Sequence, residues 1–111
     1  MSGDIWTAVA STSQVVAGAV IGTEAGGEAI AIYNVGGCYY ATSNICTHEH
    51  AYLSDGYLEG KLIECPLHAG TFDVTTGKGM GPPIMCDIRT FPVRVVAEVI
   101  EVRVNPDSSK A

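Results

Sequence analysis

Basic residues are scarce in this chain. Six of them (Lys61, Lys78, Arg89, Arg94, Arg103 and Lys110) stand against 12 acidic residues, for a formal charge of −6. They are scattered and form no run, so no nucleic-acid partner is expected, because that binding needs clustered cations. The acidic excess means solubility first, and steering toward a positively charged protein partner second. Long apolar runs are missing as well. The longest candidate, Val15 to Ile21, spans seven residues, far short of a membrane crossing. No basic segment leads into an apolar one around Asp4, so the chain is expected to be cytoplasmic and to touch no membrane. Helical signals are almost absent, and only Ala51–Tyr57 could make a short helical turn. No G-x-G-x-x-G follows a strand, which argues against a nicotinamide or flavin site.

Glycine is abundant. Of its 13 residues, eight fall in turn-like places: Gly26-Gly27, Gly36-Gly37, Asp55-Gly56, Gly77, Gly79 and Gly81. That spacing predicts many short strands. Ile5–Val9, Ala17–Ile21, Ala29–Tyr33 and Tyr39–Ala41 are strand candidates, with Val35-Gly36-Gly37-Cys38 as a tight hairpin. Ile88–Val96 reads as a strand with Pro92 inside it, which suggests a sheet edge or a bulge. From Val99 apolar and polar residues alternate, and Val99, Glu101, Val102, Arg103 and Val104 read as a half-buried pattern with one slip. The polar tail from Pro106 to Ala111 looks loose. The chain has the length of one domain with one modest core. Its middle differs from its flanks: residues 43–86 hold all three histidines, three of the four cysteines and three of the five prolines.

In that middle stand Cys46-Thr47-His48 and Cys65-Pro66-Leu67-His68, a C-x-H and a C-x2-H separated by 16 residues. In a reducing compartment, cysteines point to metal binding or free thiols rather than disulfides. Thiolate and imidazole are the ligands that soft and borderline metals prefer. Three readings compete at this point: a [2Fe–2S] cluster with both thiolates on one iron and both imidazoles on the other, a structural Cys2His2 zinc ion, or ordinary buried cysteines and polar histidines with no metal. Zinc motifs more often pair cysteine with cysteine, then histidine with histidine. The one-residue gap between Cys46 and His48 is also tight for two ligands on a single tetrahedral ion, and it suits a dinuclear centre.

The two segments resemble the Rieske motif, and the likeness covers nearly the whole chain. The runs Leu53-Ser54-Asp55-Gly56-Tyr57-Leu58-Glu59-Gly60 and Cys65 through His68, Phe72-Asp73 and Thr76-Gly77-Lys78 are similar to the ferredoxins of bacterial aromatic-ring dioxygenase systems. Gly81-Pro82-Pro83 is similar to the proline loop that covers the cluster in that family. The resemblance implies an all-β Rieske fold of three antiparallel sheets. A cluster-binding part (43–86) is then inserted into a basal part (1–42 and 87–111) of a single domain, 1–111. It implies one [2Fe–2S] cluster per chain, with Cys46 and Cys65 on the buried iron and His48 and His68 on the outer one. It also implies a soluble monomeric one-electron carrier, not an enzyme by itself. That carrier takes electrons from an NAD(P)H-dependent flavoprotein ferredoxin reductase and delivers them to a terminal ring-hydroxylating oxygenase. Two other roles are a Rieske-like small subunit of another oxidoreductase, such as nitrite reductase, and a zinc-stabilised interaction module. Too few histidines remain for a second pair with a carboxylate, the set a mononuclear iron would need.

Other residues read more plainly. His50 reads as an exposed loop histidine rather than a fifth ligand. Cys38 and Cys86 read as small buried hydrophobes, and a bond between them stays open. Trp6 reads as a core or edge anchor rather than an electron relay. Leu67 would form a small docking patch with Ala69 and Pro83. Glu49, Asp55, Glu59 and Glu64 read as solvated charges near the motif, with Glu49 placed to shape docking.

The chain departs from respiratory Rieske proteins at four places. Ala51 and Leu67 stand where those proteins carry two further cysteines, so no disulfide can bridge the loops. Gly70 and Phe72 stand where they carry a serine and a tyrosine that donate hydrogen bonds to the cluster sulfurs. Such bonds favour the more negative, reduced form, so their absence places the midpoint near the low end of the Rieske range, at roughly −150 mV. Gly70→Ser and Phe72→Tyr are each expected to raise the midpoint in a spectroelectrochemical titration; unchanged midpoints would refute the hydrogen-bond account.

Overall fold

The computed structural model describes residues 5–46, 51–66, 70–81 and 87–104. The expectations for Glu49 and His50, for Leu67 and Ala69, for Pro82, Pro83 and Cys86, and for the tail lie outside the described residues, as do His48 and His68. The strands are β1 (Ile5–Ser11), β2 (Val20–Ala25), β3 (Glu28–Val35), β4 (Cys38–Ser43), β5 (Tyr57–Glu59), β6 (Leu62–Glu64), β7 (Thr71–Asp73), β8 (Thr90–Phe91), β9 (Val93–Val96) and β10 (Val99–Val104). They pair antiparallel in three sheets, ordered β1-β10-β9, β2-β3-β4-β8 and β5-β6-β7. This is the all-β, three-sheet architecture expected. Among the described residues no helix is long and apolar enough to cross a membrane.

Strand β3 explains how the sheets are held together. Its residues from Ile30 to Asn34 are all buried, so it has no solvent face. Ile30 and Ile32 point into a core with Val15, Phe91, Ile100, Val102 and Val104. Ala31 and Tyr33 point the other way, into a core with Cys46, Leu53, Ile63, Cys65 and Phe72. A strand buried on both faces needs a continuous apolar run, and Ala29–Tyr33 supplies it. The Tyr33 hydroxyl pairs with Thr42 Oγ1 at 2.8 Å, which satisfies the one polar group that β3 sends into this second core.

Several boundaries differ from the pattern reading, each for a local reason. The second strand starts at Val20 rather than Ala17, because Gly18 turns the chain at φ 85°. The stretch from Ile88 to Val96 is not one strand. At Pro92 the chain leaves one sheet and joins another, and the Pro92 carbonyl accepts from the Arg103 N–H at 3.0 Å. The slip expected in the last strand is absent: Ile100, Val102 and Val104 face inward, while Val99, Glu101 and Arg103 are half-buried on the other side. The expected helical turn is a single 3-10 turn, Leu53–Asp55. Strands β5 to β7 have three residues each and show no period long enough to read from sequence.

Two hairpins use paired glycines at positive φ, Gly26-Gly27 (59° and 81°) and Gly36-Gly37 (62° and 95°). The hairpin between β9 and β10 places Ala97 and Glu98 in the same region, at 52° and 66°. An L side chain is strained there, whereas glycine is not.

After β7 the chain turns back around Asp73. Thr75 donates to Asp73 Oδ1 from its hydroxyl (2.6 Å) and its N–H (2.9 Å), and Lys61 Nζ lies 3.3 Å from Oδ2. Burial by itself pushes the carboxyl up. The Thr75 hydrogen bonds and the Lys61 ammonium outweigh it and hold Asp73 below its ordinary value.

Glu98→Gly is expected to stabilise the fold by about 1 kcal/mol, read as a melting temperature several degrees higher; an unchanged or lower value would contradict the strain at this turn. Asp73→Asn is expected to destabilise at neutral pH. Because the folded-state pKa is depressed, the wild-type advantage is full above an unfolded carboxylate value of about 3.9 and fades as pH falls below it. Denaturation of both forms between neutral and acid pH measures this, and a gap that does not narrow at low pH would refute it.

Candidate metal centre

The two motif cysteines occupy the same place in two hairpin tips. Cys46 lies three residues past β4, and its N–H donates to the Ala51 carbonyl at 2.9 Å. Cys65 directly follows β6, and its N–H donates to the Gly70 carbonyl at 2.8 Å. Each bond closes a tip of four residues, 47–50 or 66–69, with the cysteine on the entering side. His48 falls in the first tip and His68 in the second, both outside the described residues.

The stems under the tips are built differently. The second is a sheet ladder, Glu64↔Thr71, Ile63↔Phe72 and Leu62↔Asp73. The first has a single bridge, Ile45↔Tyr52. Below that bridge the Asn44 carbonyl accepts from the Leu53 N–H at 2.8 Å. The Asn44 side chain binds Ser54 at both ends: Nδ2 donates to Ser54 Oγ at 2.9 Å, and Oδ1 accepts from the Ser54 N–H at 2.8 Å. Sequence reasoning passed over this pair. The signal available was an asparagine, a polar residue that binds backbone readily, two positions before a motif cysteine.

Both thiols are buried, Cys46 at 4% and Cys65 at 1% exposure, in one apolar cluster with Leu53, Ile63, Phe72, Val74 and Ile88. Thiolates in such surroundings are costly unless a cation neutralises them. Two sulfurs entering one dry core from paired tips therefore fit an iron held by thiolates. Among the described residues no group of three or more His, Cys, Asp or Glu converges. Gly70 and Phe72 are both buried beside this site.

Cys38 corrects an expectation. It is an exposed free thiol, not a buried hydrophobe, because it flanks the Gly36-Gly37 turn at the end of a hairpin. Trp6 is an edge anchor as expected: it lies half-buried on edge strand β1, with the Arg94 guanidinium 4.2 Å and the Arg103 guanidinium 6.0 Å from its ring centre. Asp55 and Glu59 are exposed, while Glu64 is half-buried.

Comparison with known proteins agrees with this geometry. The family model described as Rieske [2Fe–2S] domain matches residues 5–92. The ferredoxin component of the naphthalene 1,2-dioxygenase/salicylate 5-hydroxylase systems of Ralstonia sp is 49% identical over 81% of this chain and 86% of its own length. A ferredoxin solved as a complex of reduced oxygenase and oxidized ferredoxin in carbazole 1,9a-dioxygenase is 37% identical, with a TM-score of 0.83, over 88% of this chain and 92% of that one. The Sphingomonas yanoikuyae B1 ferredoxin superposes with a TM-score of 0.85 at 34% identity, covering 90% of this chain and 99% of its own. The chain belongs to the Rieske [2Fe–2S] domain family, and within it to the ferredoxins, which carry single electrons on one iron–sulfur cluster and are not enzymes by themselves.

Proposed function

We propose that Cys46 and Cys65 hold the inner iron of this cluster, that His48 and His68 hold the outer one, and that the chain serves an aromatic-ring dioxygenase system. In that role it is a cytoplasmic monomer, taking electrons from an NAD(P)H-dependent flavoprotein reductase and passing them to a terminal ring-hydroxylating oxygenase. The observation that carries the ligand assignment is the pair of buried thiols at matching positions of two closed tips. The partner assignment is supported by relatives named as ferredoxin components of such systems, one of them in complex with its oxygenase.

When bound, the cluster supplies a centre that accepts and releases one electron at a time. The chain's residues do the rest. Leu53, Ile63, Phe72 and Val74, packed around the two sulfurs, keep the inner side away from water. The neutral imidazoles put less negative charge on their side of the site, which favours placing the added electron toward the tips. The tips are then the short way out to a docked partner. The acidic excess of the chain favours a partner with a basic docking face.

Iron analysis and EPR of the dithionite-reduced protein test the ligand set. The wild type is expected to hold about two irons and to give the rhombic signal of mixed His/Cys ligation. Cys46→Ser, Cys65→Ser, His48→Ala and His68→Ala should each lose most of the iron, while Cys38→Ser and His50→Ala keep it. One zinc in a colourless, EPR-silent protein would reject the assignment. For the partners, NADH consumption by a flavoprotein reductase and dihydroxylation by a ring-hydroxylating oxygenase should couple only when this chain is added. Reduction without coupling to any such oxygenase would leave the carrier standing and remove this partner.

A further inference from the structure

The structure assigns to Asn44 and Ser54 the role of a positioning clamp for the first ligand tip, a role the second tip gives to its sheet ladder. This inference rests on Cys46 being a cluster ligand.

The asymmetry of the two stems motivates it. Cys65 is fixed by three successive ladder pairs between β6 and β7. Cys46 has one isolated bridge next to it, Ile45↔Tyr52. The strands on either side of that bridge do not continue: the chain enters from the end of β4 and leaves into the 3-10 turn Leu53–Asp55. What ties the two legs together below the bridge is Asn44. Its N–H donates to the Ala29 carbonyl at 2.9 Å, anchoring it to β3, and its carbonyl and side chain take three hydrogen bonds with Leu53 and Ser54, all between 2.8 and 2.9 Å. Asn44 is 5% exposed, so nothing in solvent can replace those bonds. Strand β2 leaves room for the clamp. A Cβ at Gly22 would come within 2.8 Å of Ser54 Oγ and 2.9 Å of Asn44 Nδ2, although the backbone there is not in the left-handed region. Glycine at this strand position keeps the clamp closed.

The molecule contains its own control. Asn34 is also 5% exposed and also uses both ends of its amide. Its Nδ2 donates to the Val15 carbonyl at 2.8 Å, and its Oδ1 accepts from the Gly37 N–H at 2.8 Å. It staples a hairpin that carries no motif cysteine. Removing either asparagine should cost similar stability, but only Asn44 should act on the site.

The test compares iron-loaded wild type with Asn44→Ala, Gly22→Ala, Asn44→Asp and Asn34→Ala. Two quantities are read: the rate of iron release to a ferrous chelator from the reduced protein, and hydrogen exchange in peptides covering 44–53 and 63–72. Asn44→Ala and Gly22→Ala are expected to release iron about tenfold faster, the lower end of what lost supporting contacts cost a metal site. They should speed exchange in 44–53 and leave 63–72 unchanged. Asn44→Asp keeps an acceptor for the Ser54 N–H and for its hydroxyl, and should restore most of the retention. Asn34→Ala should lower the melting temperature without faster release. Equal release from Asn34→Ala and Asn44→Ala, or equal exchange in both peptides, would reduce the pair to ordinary scaffold. Gly22→Ala keeps the test open if Asn44→Ala does not fold. A wild type that holds no iron would overturn the ligand assignment and this inference with it; iron held normally by every variant would overturn this inference alone.

Discussion

Two sulfurs share an apolar interior, and the rest of the molecule is arranged around that constraint. A thiolate in such a place is tolerated only against positive charge, so in the proposed site the core holding Cys46 and Cys65 would also be the wall around the metal. The same residues that exclude water, Leu53, Ile63 and Phe72 among them, are those that a small domain needs for stability. Stability and cluster environment are thus set by one group of side chains. Gly70 and Phe72 show the consequence: at two positions beside the site, this chain has residues that pack but offer the sulfurs no hydroxyl.

The tips need rigid ground, and β3 supplies it. Its Ala31 and Tyr33 face the core of the site, and its Ala29 carbonyl anchors Asn44. Its Ile30 and Ile32 lock the same strand to the core below β10. The first tip is therefore tied to the centre of the molecule through the Asn44 backbone N–H, whereas the second stands on a sheet of its own.

How much of this was legible follows the physics of each signal. The proposed ligand pairs stand out in the sequence because their chemistry is local: Cys46 and His48, and Cys65 and His68, are near neighbours. Strand β3 was readable because burial on both faces demands an unbroken apolar run. Strands β5 to β7 were not, since three residues cannot display a period and their pairing depends on the turns between them. Pro92 announced a disruption but not a change of sheet, because the partner strand, β10, is set by tertiary packing. Cys38 misled, since a lone cysteine after an apolar strand is more often buried, and here hairpin geometry put it outside. Asn44 carried no distinctive pattern, as its meaning lies in a partner ten residues on.

The shared strand also governs how the molecule comes apart. Because β3 lines both cores, neither can melt while the other keeps its wall. The two cores then behave as one cooperative unit despite their separate sheets. A carrier of this size gains a practical safeguard from that coupling. Breathing motions of the outer hairpins, such as the one ending in Ala97 and Glu98, need not propagate to the sulfurs.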